Sequence, residues 1–290
     1  MLSIIISSVC NEQLSLIKSN IESTVGIPYE VIVIDNSNGQ MGLCEAYNLG
    51  AKNAKFDFLC FMHEDISLKT HQWGKKIIGH FEKDEGLGLI GVVGSSYKSS
   101  VFSGWAPYGA TPKTIDYANL IQSFKYQSTP SYHYYSNPNN VTIQEVAVLD
   151  GVWLCTKKKI IEKYPFDEVT FKRFHCYDLD ISLSISQEYK VAVIFDILLE
   201  HLSEGKFERE WADATFALHK KWRGYLPLNK DGLTRKEILF TEKKFFRHGV
   251  SELTKMKYSR WEILKALNNS NVKKLNFLLY IKLYLATMIK

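Results

Sequence analysis

The chain has 290 residues, 46% of them hydrophobic and 23% charged, a balance that suits a globular protein with a sizeable core and excludes a disordered or fibrous one. Its five cysteines (Cys10, Cys44, Cys60, Cys155 and Cys176) are odd in number, scattered and without a C-x-x-C pair, which argues against a disulfide framework or a zinc knuckle. Residues 206–290 carry 19 basic and 8 acidic side chains, a net +11, against −6 for residues 1–205; a mildly acidic body therefore meets a basic tail.

Met1–Val9 lacks the positively charged n-region and small-residue cleavage site of a signal peptide. No stretch is apolar for long enough to give a secure membrane span. The expectation is a cytoplasmic protein.

In chain order, Ser3–Val9 is a short β-branched run, followed by helical spacing through Leu14, Ile17, Ile21 and Val25. Gly26 and Pro28 break that helix. Tyr29–Ile34 reads as a second buried strand, closed by the turn cluster Asp35 to Gly39. Gly42–Ala54 reads as a helix, Phe56–Met62 as a third strand running into His63-Glu64-Asp65, Trp73–Phe81 as a helix and Leu87–Val93 as a strand. Continuous apolar strands alternating with helices imply an α/β fold with a mostly parallel sheet covered on both faces. Ligands in such folds bind beyond the carboxyl ends of the strands. Residues 98–145, rich in Ser, Tyr, Pro and Asn, read as a long excursion or flap over the cleft; Trp105, Tyr108, Tyr132, Tyr134 and Tyr135 favour an ordered one. Val146–Cys155 returns to a strand, Lys157–Lys163 to a helix and Val191–Phe195 to a strand, and the chain after 206 is helical.

Three elements then line up in order. Val31–Asp35 is a strand ending in Asp, Gly42-Leu-Cys-Glu-Ala-Tyr-Asn48-Leu-Gly50 follows as a G-x-x-x-A-x-N-x-G helix, and Phe58–Met62 ends in His63-Glu64-Asp65. Downstream come Val148-Leu-Asp150-Gly151-Val-Trp153, Phe166-Asp167-Glu168, Phe174-His175-Cys-Tyr177-Asp178-Leu-Asp180 and Leu198-Leu-Glu-His201. The series resembles glycosyltransferase family 2, over about residues 3–205, and is closest to bacterial transferases of capsule or surface-polysaccharide assembly. The resemblance implies a GT-A fold, that is, a Rossmann-like nucleotide-diphospho-sugar transferase domain over 1–205 with a basic helical C-terminal extension over 206–290.

The resemblance also implies roles. Asp65 stands where the family has the metal-chelating final Asp of its D-x-D element, and His63 stands at the first position, as a metal or ribose contact. Asp178 stands at the catalytic base of the E-D-x-D-L segment, with Tyr177 in place of the Glu, and His201 matches a further metal ligand. Asp35, Asn48, His63, Glu64, Asp150, Gly151, Trp153 and His175 are the expected substrate-binding positions. The implied donor is a nucleoside-diphosphate sugar, UDP-linked, used with a divalent metal (Mn²⁺ or Mg²⁺), because a departing diphosphate concentrates negative charge. The acceptor would be a glycan or polyprenyl-linked glycan, and inversion is the expected outcome.

Read without the resemblance, the same residues have plainer roles. Asp35 is a good Asx-turn former, Asp178 and Asp180 open a helix and can cap it, and a single His such as His201 is often structural. A module that binds a nucleotide or glycan without turnover is the rival function, supported by His63 and Tyr177 in place of acids. A Rossmann oxidoreductase is excluded because no G-x-G-x-x-G follows the first strand, and the acidic body gives no support to nucleic-acid binding. The apolar run from Phe277, bracketed by Lys273, Lys274 and Lys290 and interrupted by Lys282, suits an interfacial helix. With the lysines from 243 onward, it would place the protein on the inner face of the cytoplasmic membrane; docking on the body or forming a homodimer contact are the alternatives.

Overall fold

The structure is a computed structural model that describes residues 1–106, 111–125, 127–205 and 208–289; Tyr108 of the aromatic excursion and Lys290 of the tail lie outside them. In chain order the elements are β1 (Leu2–Ser8), α1 (Asn11–Thr24), β2 (Tyr29–Asp35), α2 (Leu43–Asn53), β3 (Phe58–Met62), β4 (Ile66–Leu68), α3 (Trp73–Lys83), β5 (Leu87–Gly91), β6 (Val93–Ser95), β7 (Tyr97–Lys98), β8 (Asp116–Gln122), β9 (Tyr132–Ser136), β10 (Ile143–Glu145), β11 (Val148–Leu149) and β12 (Trp153–Lys157). They continue with α4 (Lys158–Lys163), α5 (Tyr177–Ile185), β13 (Lys190–Ile194), β14 (Leu199–His201), α6 (Arg209–Lys221), β15 (Leu228–Asn229), α7 (Arg235–Lys255), α8 (Arg260–Asn269), α9 (Val272–Leu275) and α10 (Phe277–Ile289). The chain divides into two units, Met1–Gly94 with Tyr117–Gly205, and Ser95–Asp116 with Lys206–Lys290.

The first unit is built on a seven-stranded sheet in the order β10-β13-β5-β12-β3-β1-β2. Strands β13, β5, β3, β1 and β2 run one way, and β12 and β10 run against them. The central strands are apolar along their whole length because both faces are covered: Ile4, Ile5 and Ile6 of β1 and Leu59 to Met62 of β3 are fully buried. Helix α2 packs on this sheet through Leu43, Ala46, Tyr47, Gly50 and Ala51, spaced for one helical face. Gly50 allows that approach, since a Cβ there would sit 2.3 Å from Ile5 Cγ2. A second sheet runs β11-β6-β8-β14-β4, with β9 added beside β8.

Two expectations change here. Within the stretch 98–145, read as an ordered excursion without periodicity, β8 and β9 make an antiparallel hairpin with Ala118 opposite Ser136 and Gln122 opposite Tyr132. Its Tyr134 and Tyr135 lie on β9, and Tyr132 stacks on Phe124. Mixed Ser, Asn and Tyr composition hides the strand period from the sequence. In addition, residues 95–116 belong to the second unit, because β7 pairs with β15 and Tyr97, Val101 and Phe102 enter that unit's core.

That second core joins Phe102, Trp211, Phe245, Leu253, Ile263, Leu267, Leu279 and Leu283. Helices α7 and α8 begin with capping boxes, Thr234 with Glu237 and Ser259 with Glu262, each side chain bonding the other residue's backbone N–H. Among the described residues, no helix is long and apolar enough to cross a membrane.

Candidate active site

The carboxyl ends of β1, β2 and β3 share one edge of the first unit, and β12 begins at that edge because Trp153 pairs with Met62. The turn Asp150–Val152 is thereby held beside the end of β3, with the His63 N–H donating to the Val152 carbonyl at 3.1 Å. Strand β4 follows β3 and pairs antiparallel with β14, setting Ile66 opposite His201. The Leu202 N–H then donates to the Asp65 carbonyl at 2.9 Å. Register alone brings residue 65 to residue 201 across more than a hundred positions of chain.

The result is a cluster of His63, Asp65 and His201 whose ligand atoms all lie within 4.8 Å of one another. His63 Nδ1 is 3.8 Å and His201 Nε2 3.7 Å from Asp65 Oδ1, and each of the three side chains keeps between 14% and 17% exposure. Ser203 Oγ donates to the other carboxylate oxygen, Oδ2, at 2.5 Å. Burial alone would push the Asp65 carboxyl up, but the two imidazoles and the Ser203 hydroxyl outweigh it and hold that carboxyl below the usual range. For His63, burial comes first and His201 second in keeping the imidazole below its usual value, against the pull of Asp65 and Asp150.

Tyr177 fixes which nitrogen of His63 is free. Its hydroxyl donates to the Gly151 carbonyl at 3.0 Å and lies 2.8 Å from His63 Nε2. A hydroxyl has one proton, and a carbonyl can only accept. Nε2 must therefore carry the hydrogen and donate to the phenol oxygen, which leaves the Nδ1 lone pair toward Asp65. The Tyr177 ring is wedged among Tyr47, Phe166 and Phe174 at centroid separations of 5.6, 6.4 and 6.2 Å. Gly151 is required by the same contact: a Cβ there would lie 2.1 Å from the Tyr177 hydroxyl. Cys176, directly before α5, sits at φ +66°, a left-handed turn uncommon for a residue with a Cβ, and it aims the first turn of α5 at the cluster's neighbourhood.

Asp178 lies in that first turn. It is half-buried, and its Oδ2 accepts from the Gly151 N–H at 3.1 Å. Burial pushes its carboxyl up to about 7, with the nearby Asp150 charge adding to the shift and backbone N–H groups opposing it. Asp150 itself accepts from the Val152 N–H at 2.9 Å, closing the turn. His175 precedes Asp178 by three residues, with Phe174 edge-on to it and Phe174 also 5.6 Å from the His63 ring.

Other expected positions have different work. Glu64, the middle member of the strand-end triplet, turns away from His63 and Asp65: it accepts from the Ser8 hydroxyl at 2.6 Å and the Val9 and Cys10 N–H groups at 3.0 Å each, tying β3 to the end of β1. The bend between β3 and β4 carries it that way. The Asn48 side chain is committed to the Phe166 backbone and to Glu168. Trp153 is fully buried edge-on against Trp73 and belongs to the core. Asp35 stands exposed at the end of β2 and accepts from the Ser37 N–H, which lowers its pKa.

Ser203 carries no signal of its own in the sequence, since it lies in the bend after β14. Sequence reading treated Tyr177 only as a lost acid. Its hydroxyl, not its acidity, matters here.

No curated protein matches the chain in sequence. Two solved structures of S. aureus TarS 1–349 are similar in shape: one free, with TM-score 0.53 and 12% identity over 96% of this chain and 82% of that one, and one in complex with UDP-GlcNAc, with TM-score 0.51 and 12% identity over 92% and 79%. A structure of GalNAc-T7 with UDP, GalNAc and Mn²⁺ gives TM-score 0.50 and 11% identity over 77% of this chain, which spans only 48% of that protein. Residues 4–221 match the family described as "Glycosyltransferase like family". With well over half of its sequence inside that match, the chain belongs to this glycosyltransferase-like family and has the GT-A fold.

Proposed function

We propose that the chain is an inverting, metal-dependent transferase that moves a hexose-type unit from a UDP-linked sugar to a glycan or lipid-linked glycan acceptor in surface-polysaccharide synthesis. The observation that carries this reading is the His63, Asp65 and His201 cluster at the strand ends, whose His63 hydrogen-bonds Tyr177, the residue before Asp178. Two similar folds were solved with UDP or UDP-GlcNAc, one of them with Mn²⁺, which supports the choice of donor. The chemistry is assigned to residues 1–205 apart from 95–116, with 206–290 as an extension.

His63 Nδ1, Asp65 and His201 Nε2 would hold a divalent ion. The donor set fits it: the hydrogen bond to Tyr177 leaves Nδ1 unprotonated, and Ser203 fixes the carboxylate. Two imidazoles favour a transition ion such as Mn²⁺ over Mg²⁺, which prefers oxygen ligands. Bound there, the ion supplies Lewis-acid neutralisation of the departing diphosphate. Asp178 takes the proton of the acceptor hydroxyl. The freed oxygen forms the new bond to the anomeric carbon as the bond to the diphosphate breaks, and the nucleoside diphosphate leaves with that electron pair. A base titrating near 7 is well matched to this task at neutral pH. Phe174, exposed beside His63 and His175, offers a ring face to the acceptor sugar, and exposed Asp35 is placed as the contact for the nucleotide base.

A donor screen that measures released nucleoside diphosphate tests the reading. Turnover should need added metal and be supported by less Mn²⁺ than Mg²⁺. Tight UDP binding with no release for any donor and acceptor pair would instead favour the module that binds without turnover.

A further inference from the structure

Helix α10 has two unlike faces. Leu279, Leu283 and Thr287 are buried, and Leu279 and Leu283 join the core of the second unit. At about 100° per residue, Phe277, Leu278, Ile281, Leu285, Met288 and Ile289 fall on the opposite side, within an arc of roughly 120° that contains no polar side chain. All six are exposed, Leu278 at 71% and Ile289 at 83%. Helix α10 therefore packs within its own unit through one face and leaves a second apolar face uncovered. The Arg260 guanidinium donates to the Met288 carbonyl at 3.2 Å, bringing the start of α8 to the end of α10, and the next residue, Trp261, is 71% exposed.

The segment that carries this face is strongly basic. Residues 256–289 contain Lys257, Arg260, Lys265, Lys273, Lys274 and Lys282, all exposed, against a single acid, Glu262. Glu262 is already engaged by Ser259 and by Arg209 at 3.1 Å. Lys282 falls at the edge of the apolar arc, where its stem can lie along the face and its ammonium reach outward. A two-fold contact between copies would set these cations against their own duplicates. A negatively charged surface with an apolar layer beneath it would neutralise the cations and cover the face together.

We propose that the uncovered face of α10, with Trp261 and the surrounding lysines and arginine, docks on the surface of an anionic lipid bilayer. The helix lies along the interface with its apolar arc among the acyl chains, and its other face stays on the second unit. The inference rests on this surface alone and is independent of the transfer reading.

Flotation of the full chain with phosphatidylcholine vesicles, with and without phosphatidylglycerol, tests it. The protein should float with the anionic vesicles and lose that partition in high salt. Lys273→Glu with Lys274→Glu should weaken it at least tenfold, given the pull of a polybasic surface on anionic lipid. Leu278→Gln with Leu285→Gln, both at exposed positions, should abolish it at an unchanged melting temperature. Full chain remaining with the soluble fraction on anionic vesicles overturns the proposal, as does flotation that survives the two Leu→Gln changes. Light scattering that finds a dimer broken by those same changes assigns the face to a second copy and equally overturns it.

Discussion

The two units bury charge in opposite ways. In the second unit, Glu242 is fully buried and accepts from the Tyr97 hydroxyl at 2.6 Å, the Ser100 N–H at 3.0 Å and the Ser100 hydroxyl at 2.6 Å. Lys98, equally buried, donates to the Ser103 carbonyl, the Ser103 hydroxyl and the Gly104 carbonyl, with His219 Nε2 at 3.3 Å. The Glu242 carboxylate and the Lys98 ammonium are each met by several polar partners, so the charge stiffens the fold. In the first unit Asp178 faces Asp150, a like charge, and His63 faces His201. Those groups are held in place yet face like charges, the arrangement that the proposed transfer role calls for. Buried charge alone identifies neither role; what surrounds it does.

Neutralising one buried carboxylate in each unit breaks or sharpens that contrast. Asp178→Asn should lower transfer by about two to four orders of magnitude, the usual range for a lost general base, while donor binding persists. In the wild type, kcat/KM should rise with pH through about 7 as the carboxyl ionises. Stability should respond with the opposite sign. A folded-state value above the ordinary carboxylate value makes ionisation a cost that is absent below that ordinary value and complete above about 7. Asp178→Asn should therefore melt a few degrees higher than wild type above pH 7, with the gain disappearing in acid. A lower melting temperature across that range would show that Asp178 is a structural cap.

Glu242→Ala should do the reverse. Three buried donors lose their acceptor, a loss of about 3 kcal/mol or more by the cost of unsatisfied groups, read as an earlier thermal or denaturant transition. Unchanged stability would refute the structural role.

Tyr177→Phe removes the hydroxyl that orients His63 but keeps the ring among Tyr47, Phe166 and Phe174. Mn²⁺ affinity should fall about tenfold, as for other groups that orient a metal-bound His, with little change in melting; calorimetric titration of Mn²⁺ reads it. Equal affinity would dismiss the tautomer argument. The smallest effect expected is from Phe174→Ala, a rise of about threefold in acceptor KM at constant kcat, as for loss of one exposed ring contact. A change in kcat instead would move Phe174 into the chemistry.

Much of the first unit was readable because its strands are covered on both faces and their apolar runs are unbroken, as in Leu2–Ser8 and Phe58–Met62. The β8–β9 hairpin was hidden for the converse reason: Tyr132 and Tyr135 are half-exposed and flank His133 and Tyr134, so no apolar period appears. At the site, residue types and order pointed to His63, Asp65, Asp178 and His201. Which neighbours turned inward was not legible, because it depends on the bends that follow β3 and β14: Glu64 reaches β1 while Ser203 reaches Asp65. The assignment of 95–116 to the second unit depends on pairing between residues over a hundred positions apart, which no local pattern carries.

The most direct measurement is calorimetric titration of UDP in the presence of Mn²⁺ with wild type, Asp65→Asn and Asp178→Asn. Wild type and Asp178→Asn should bind with similar affinity, and Asp65→Asn should bind at least tenfold more weakly, since one anionic ligand opposite the diphosphate is lost. Equal binding by all three proteins would contradict the account by removing Asp65 from the metal and diphosphate site.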